Sequence, residues 1–544
     1  MPALPFELWI HIADYIPPYD LPRFAGVNRL FFEAIMDQLY NQLSFISSDT
    51  RVFTEKVQAL NSTSLAERVR VLTLWPGAIR DAIGGKGGED SSDDEGSTRN
   101  RSPSPKFKHA RYLMRGREYV GELLGHRRSP SVPSSRAGVK SSGSAHERRQ
   151  MFFDAIRNLT RVEEMRIDWY YDKGVGGDAW TFAFFPEIWK HIGQNLQRLS
   201  IDIQVYKMND AVKYCGSLPN LEELTLVLRC DNARGHPGDT IVPYFINNHA
   251  STLRRLSLKT IGHQDLSLIF QLLGILPHLT HLSIGMPLDA RHLPDPSGFN
   301  QFLQNHPKLQ NFSIRYIRCC TDCAYDGFST FDGKHKLFRN ITLPAMHTLE
   351  LGLHIPMAVG ATDPLYYSIA RLGTSLTSLT LKDRSLKLDE VKAILRLFPS
   401  YRLKRLSLFA QLLTPQLIDH IAKVCPALNS LSLDVETIVK SEDATDRRNN
   451  DVDGFSEALA NYAVDLDNDR WRYRTWLLSD ISIMHWEFKV GHQYNWACMN
   501  AIAYSVPSVR SFAGRGHMLD SNTPCSEEGK LIVDLGERTK PFDT

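Results

Sequence analysis

The chain has 544 residues, and 63 Lys and Arg against 61 Asp and Glu leave a formal net charge of +2. That balance gives no global bias toward nucleic acid or an acidic membrane. Eight cysteines at scattered spacings suit a reducing compartment, cytoplasm or nucleus, rather than a disulfide scaffold. No apolar run reaches the roughly 18 residues that a membrane span requires, and Glu7, His11 and Asp14 inside the first apolar stretch argue against a signal peptide.

Residues 4–40 predict three short helices. Pro5 opens the first, with Leu8, Ile12 and Ile16 on one side, and Pro17-Pro18 ends it. Asp20 caps a second with Leu21, Phe24 and Val27, and a third runs Leu30 to Tyr40 with Phe31, Ile35 and Leu39 inward. So small a set cannot bury all of this apolar surface by itself, and leftover apolar surface implies a partner. The segment resembles an F-box at Leu4-Pro5, Glu7-Leu8, Ile12, Ile16, Asp20-Leu21, Val27-Asn28 and Phe32. It departs in carrying Phe31 or Phe32 where that motif often has Trp, and Asn28 where it has Cys or Ser. The resemblance implies docking on a Skp-type adaptor, and through it on a cullin–RING ubiquitin ligase, with Leu4, Pro5, Leu8, Ile12, Ile16, Leu21 and Val27 as adaptor contacts. A helical cap closing one end of a solenoid is the other reading. The F-box segment is set at 1–45, followed over 46–83 by a linker helix and a first degenerate repeat, Val69/Leu72/Leu74.

Residues 84–149 break the pattern. They open GGKGGEDSSDDEGS, close near SSRAGVKSSGS, and hold few aliphatic side chains outside Tyr112–Leu124. That composition predicts a disordered insertion. Ser102, Ser104 and Ser129 each precede proline and are candidate proline-directed phosphosites; a plain spacer is the alternative.

From 150 to 436 one frame recurs, L-x-x-L-x-L. Leu196/Leu199/Ile201, Leu253/Leu256/Leu258, Leu376/Leu379/Leu381 and Leu403/Leu406/Leu408 are examples. From Ile167 to Leu433 the last positions of successive frames are 25 to 37 residues apart, a solenoid period. Each frame places two apolar side chains on one face of a strand. Helices fill the intervals: Asp389 is placed to cap one, Pro415 to open another, and Pro219, Pro277, Pro307, Pro399 and Pro426 precede the next frames. These repeats resemble the leucine-rich-repeat family, without the Asn or Cys usual three residues after the frame. The fold expected is therefore α/β, an irregular leucine-rich-repeat horseshoe preceded by a three-helix F-box. The frame leucines carry stability; function falls to the outward strand positions and loops.

Three patterns mimic chemistry. Gly174-Val175-Gly176-Gly177-Asp178-Ala179 fits a dinucleotide fingerprint, but Asp172 and Lys173 lengthen the turn and Pro186 is expected to break the helix that should follow. Cys319, Cys320 and Cys323 with His335 lack a second ligand pair for structural zinc. Asp465, Asp467 and Asp469 begin like a calcium loop, but Arg470 and Trp476 replace the Gly and Glu it needs. No catalytic motif stands out, so neither an enzyme, a cofactor nor a metal is expected.

Residues 437–544 read as a charged loop, worn terminal repeats and a cap, with Trp471, Trp476, Trp486 and Trp496 within 26 residues. Tryptophan suits a cap over an open core, and equally an aromatic recognition patch. On the strands, the residue between the last two frame positions is small and hydroxylated at Ser200, Thr225, Ser257, Ser283, Ser313, Thr380, Ser407 and Ser432, with Glu350 the exception. Arg255 and Arg405 stand just before the second frame leucine. Arg255, Arg405, Trp471 and Trp476 are the candidate target contacts. The function expected is a non-catalytic substrate-recognition subunit of a Skp–cullin–F-box ligase, with a protein target and neither nucleic acid nor membrane as partner. The alternatives are a repeat scaffold without a ligase and, remotely, a nucleotide-binding enzyme.

Overall fold

A computed structural model describes residues 5–16, 20–24, 26–27, 29–84, 144–169, 179–229, 238–262, 265–286, 292–315, 338, 341–352, 371–372, 375–442, 450–465, 470–487 and 491–513. Two units divide the chain at Leu224/Thr225.

In the first unit, alternation of apolar and polar residues makes four strands: β1 (Gln42–Phe45), β2 (Val71–Leu74), β3 (Glu164–Trp169) and β4 (Arg198–Gln204). They pair parallel in chain order, with Leu43, Leu72, Met165 and Leu199 in one row and Phe45, Leu74, Ile167 and Ile201 in the next. Because side chains alternate between faces, this register sends every frame residue to the same buried side. Helices cover that side, and Phe152 packs against Phe45 at 5.3 Å, Phe53 at 5.6 Å and Phe184 at 6.3 Å between ring centroids.

Three sequence expectations change here. A strand stands at Gln42–Phe45, ahead of the frame at Val69 and within the segment assigned to the F-box. Residues 144–149 begin the helix Ala145–Arg157: Ser144 Oγ accepts from Glu147 N–H, and the Glu147 carboxylate accepts from Ser144 N–H, a closed capping box. The helix Ala179–Ile192 runs through Pro186 rather than ending there. Proline costs a helix one hydrogen bond, and burial of Phe184, Phe185, Ile188, Trp189 and Ile192 offsets that loss.

The second unit continues the strand–helix alternation. Its strands are β6 (Arg255–Ile261), β7 (His281–Gly285), β8 (Asn311–Arg315), β9 (Thr348–Gly352), β10 (Ser378–Leu386), β11 (Arg405–Leu413) and β12 (Ser430–Ile438); β5 (Glu223–Arg229) spans the boundary. From β6 to β12 all pair parallel, and Leu256, Leu282, Phe312, Leu349, Leu379, Leu406 and Leu431 form one row. The helix Pro415–Val424 is capped by Thr414, whose hydroxyl accepts from Leu417 N–H at 3.1 Å. In the helix Leu388–Leu397 it is Glu390, not Asp389, that reaches back to the cap, accepting from Lys387 N–H at 2.9 Å.

Both units share a backbone ladder. The carbonyl just before a strand accepts two consecutive N–H groups of the next repeat: Asn41 from Arg70 and Val71, Glu163 from Gln197 and Arg198, Arg254 from Thr280 and His281, Lys404 from Asn429 and Ser430. This ladder satisfies backbone groups of the turn entering each strand.

At the C-terminal end, β15 (Asp480–Glu487) pairs parallel with β12. Its second half takes β16 (Gly491–Tyr494) antiparallel and its first half takes β17 (Ser511–Phe512) parallel. A separate pair, β13 (Val464–Asp465) and β14 (Arg470–Trp471), is antiparallel. Among the described residues no helix is long and apolar enough to cross a membrane.

Candidate partner-binding surfaces

The N-terminal helices carry two apolar stripes and bury one. Helix α1 (Phe6–Tyr15) starts at Pro5, whose carbonyl accepts from Leu8 and Trp9 N–H, and α2 (Arg29–Tyr40) packs against it. Between them lie Ala13, Phe31 and Ile35, with Trp9, Ile16 and Leu39 partly buried around them. Trp9 meets Phe31 edge-on at 5.7 Å. Arg68 reaches α2 by ion pairs to Glu33 and Asp37 and so ties the helices to the residues before β2.

The second stripe is open. Leu8 is 45% exposed, Ile12 39% and Val27 54%, and Tyr15 and Phe24 are exposed too. Leu8, Ile12 and Tyr15 follow at i, i+4 and i+7, about 100° around the helix from Trp9, Ala13 and Ile16. A cluster of large apolar side chains left in water marks an interaction site. Of the adaptor contacts that the resemblance implies, Pro5, Leu8, Ile12 and Val27 lie exposed. Ile16 differs: it is partly buried and packs against the inner cluster of Ala13, Phe31 and Ile35. Leu4 and the side chain of Leu21 lie outside the described residues.

The outward strand face is the second surface. In the second unit the mostly hydroxylated positions stand side by side in register: Ser257, Ser283, Ser313, Thr380, Ser407, Ser432 and Ser482, with Glu350 between Ser313 and Thr380. Arg255 and Arg405 are exposed two residues earlier on their strands, on the same face. Along that earlier row Asn311 Nδ2 meets His281 Nε2 at 2.8 Å. Two residues after the hydroxyls, Arg315 and Lys382 flank Glu350 at 3.8 Å and 3.4 Å. Sequence reading missed Lys259, Arg315 and Lys382, because only strand register shows that they share one row.

Trp476 is a correction. It is 3% exposed, its indole N–H donates to Cys425 O at 3.1 Å, and Tyr473 packs beside it. It closes the core and presents nothing to a partner. The side chain of Trp471 lies outside the described residues, as do Ser102, Ser104 and Ser129, the glycine-rich run 174–178, and Cys319, Cys320, Cys323 and His335. Among the described residues no group of His, Cys, Asp and Glu is arranged to hold a metal ion. Burial pushes the thiols of Cys215, Cys425 and Cys498 up to about 12, which keeps them protonated near neutral pH and poor as nucleophiles.

The array is α/β and repeat-type: parallel strands of a leucine frame, alternating with helices. No protein-family model matches the sequence, and no curated protein does. Among solved structures, the TLR13–ssRNA13 complex is similar at 14% identity and a TM-score of 0.28, over 66% of this chain and only 40% of that one. The Rad7 and Elc1 complex in yeast is similar at 11% identity and a TM-score of 0.32, over 82% of this chain and 91% of that one. Similarity at these levels carries no inference about what this chain binds.

Proposed function

We propose that this chain is a non-catalytic receptor that joins a protein target to a Skp-type adaptor and, through it, to a cullin–RING ubiquitin ligase. The observation that carries this reading is the open apolar stripe of α1. Leu8 and Ile12, two of the contacts that the F-box resemblance names, stand exposed while their neighbours Trp9 and Ala13 are packed against α2. The strand face takes the target, with Arg255 and Arg405 on it. The work such a receptor does is proximity: it holds the target near the transfer machinery and raises its effective concentration there.

The test is the double change Leu8→Asp and Ile12→Asp. Placing unpaired carboxylates at an apolar contact costs several kcal/mol, so adaptor capture should be lost. The thermal transition of the rest of the chain should not move, because neither side chain belongs to the core. Retained adaptor binding by the double variant would remove the docking assignment. Failure of the wild-type chain to capture any Skp-type adaptor would leave a repeat scaffold without a ligase.

A further inference from the structure

We infer that the strand face of the second unit is built for an acidic polypeptide segment in the polyproline II conformation, with a carboxylate at every third residue. This rests on the reading of the strand face as the target surface and names the target's chemistry.

The ladder of charges sets the spacing. Lys259 on β6 pairs in register with Gly285 on β7, Gly285 with Arg315 on β8, and Arg315 with Gly352 on β9. Lys382 on β10 comes next, since Leu381 before it pairs with Leu351 before Gly352. The row thus alternates cation, glycine, cation, glycine, cation. Neighbouring strands lie about 4.8 Å apart, so cations on alternate strands recur every ~9.6 Å. A polyproline II helix has three residues per turn and a rise of about 3.1 Å, so the same face recurs every ~9.3 Å. An extended strand repeats a face every ~6.7 Å and falls out of step with this row.

The surrounding charge fits the same partner. On the three outward rows from β6 to β11 stand five cations, Arg255, Lys259, Arg315, Lys382 and Arg405, against one carboxylate, Glu350. That is a stronger positive excess than the +2 of the whole chain. Glu350, within 3.8 Å of Arg315 and 3.4 Å of Lys382, occupies two rungs at once and shows how a carboxylate is held there. Beside the ladder, Ser257, Ser283 and Thr380 set hydroxyls on the neighbouring row, while that of Ser313 is buried. A polyproline II backbone makes no internal hydrogen bonds, so its carbonyls need such donors. Single-stranded nucleic acid is disfavoured: between β6 and β10 the rows hold no Phe, Tyr or Trp on which a base could stack, and the His281 ring is engaged at both nitrogens by Thr280 and Asn311.

The test is a fluorescence-anisotropy titration of the full chain with a labelled peptide of repeated Glu-Pro-Pro triplets. The control is a peptide of the same composition with its glutamates in one block, and labelled poly-uridine is the third probe. The triplet peptide should bind about tenfold more tightly than the block, the difference that one well-placed ion pair makes. Arg315→Gln should weaken it by about tenfold, and Glu350→Gln, which releases two rungs, should tighten it. Opposite signs from neighbouring substitutions exclude simple unfolding as the cause. Equal affinity for triplet and block, no binding to either, or tighter binding of poly-uridine overturns the inference. If adaptor capture persists while the titration fails, only this inference falls; lost adaptor capture bears on the docking reading alone.

Discussion

The N-terminal helix pair and the repeats handle apolar surface in opposite ways. In the repeats every frame side chain is covered by the next unit of the same kind; Leu226, Leu258, Leu408 and Leu431 are all buried. Among the described side chains of the helix pair only Ala13, Phe31 and Ile35 reach that state, while Leu8, Ile12 and Val27 stay in water. Repetition supplies its own partner. A lone helical pair has no equivalent neighbour, and among the described residues its outer stripe stays uncovered.

Substitutions on the two sides should therefore separate cleanly. The largest loss belongs to Trp476→Ala, which empties a core site and removes the bond to Cys425 O; about 3–5 kcal/mol is expected from chemical denaturation. Leu406→Ala should cost about 2–5 kcal/mol by the same measurement. Thr414→Ala, which strips a buried helix cap, should cost about 1–2 kcal/mol. Leu8→Ala should change stability by no more than about 0.5 kcal/mol, since the side chain has little to lose on the folded side. A loss comparable to that of Leu406→Ala at Leu8 would erase the contrast.

A titration sharpens the repeat side. His306 is buried, its Nδ1 donates to Phe302 O, and its Nε2 accepts from Leu276 N–H at 2.9 Å. Desolvation holds its pKa below the ordinary value of 6.5. The unfolded chain therefore binds the proton more readily, and stability contributed by neutral His306 is present above pH 6.5 and lost as pH falls below it. The advantage of wild type over His306→Gln should shrink between pH 8 and pH 5 in equilibrium unfolding. A difference constant across that range would mean that the imidazole is not held neutral.

The frame leucines made most strands legible, because their two-residue alternation and their spacing along the chain are both local facts. β1 escaped because Tyr40 and Phe45 stand in for the usual leucines on either side of Leu43, so the frame is worn at its first and last positions. Pro186 misled for the reverse reason: a strong local breaker is overruled by the aromatic packing of Phe184, Phe185 and Trp189. The exposed stripe of α1 was half legible. Its apolar residues were evident, but the decision between Ile12 outward and Ile16 inward needs the position of α2. Likewise Trp476 gave no sign in sequence of which way its ring faces. The cation row could not be read at all, since Lys259, Arg315 and Lys382 are separated by variable loops and become neighbours only through register.

An array of parallel strands has no intrinsic length, and its last strand is a template for the next. β15 is engaged on that side twice over, by the reversed β16 along one half and by the two-residue β17 along the other. The reversal matters most: a strand running the wrong way cannot accept another repeat in the direction the series requires, and short edge strands offer little to an intruder. The hairpin thus caps the parallel series at β15, where the direction of the strands reverses.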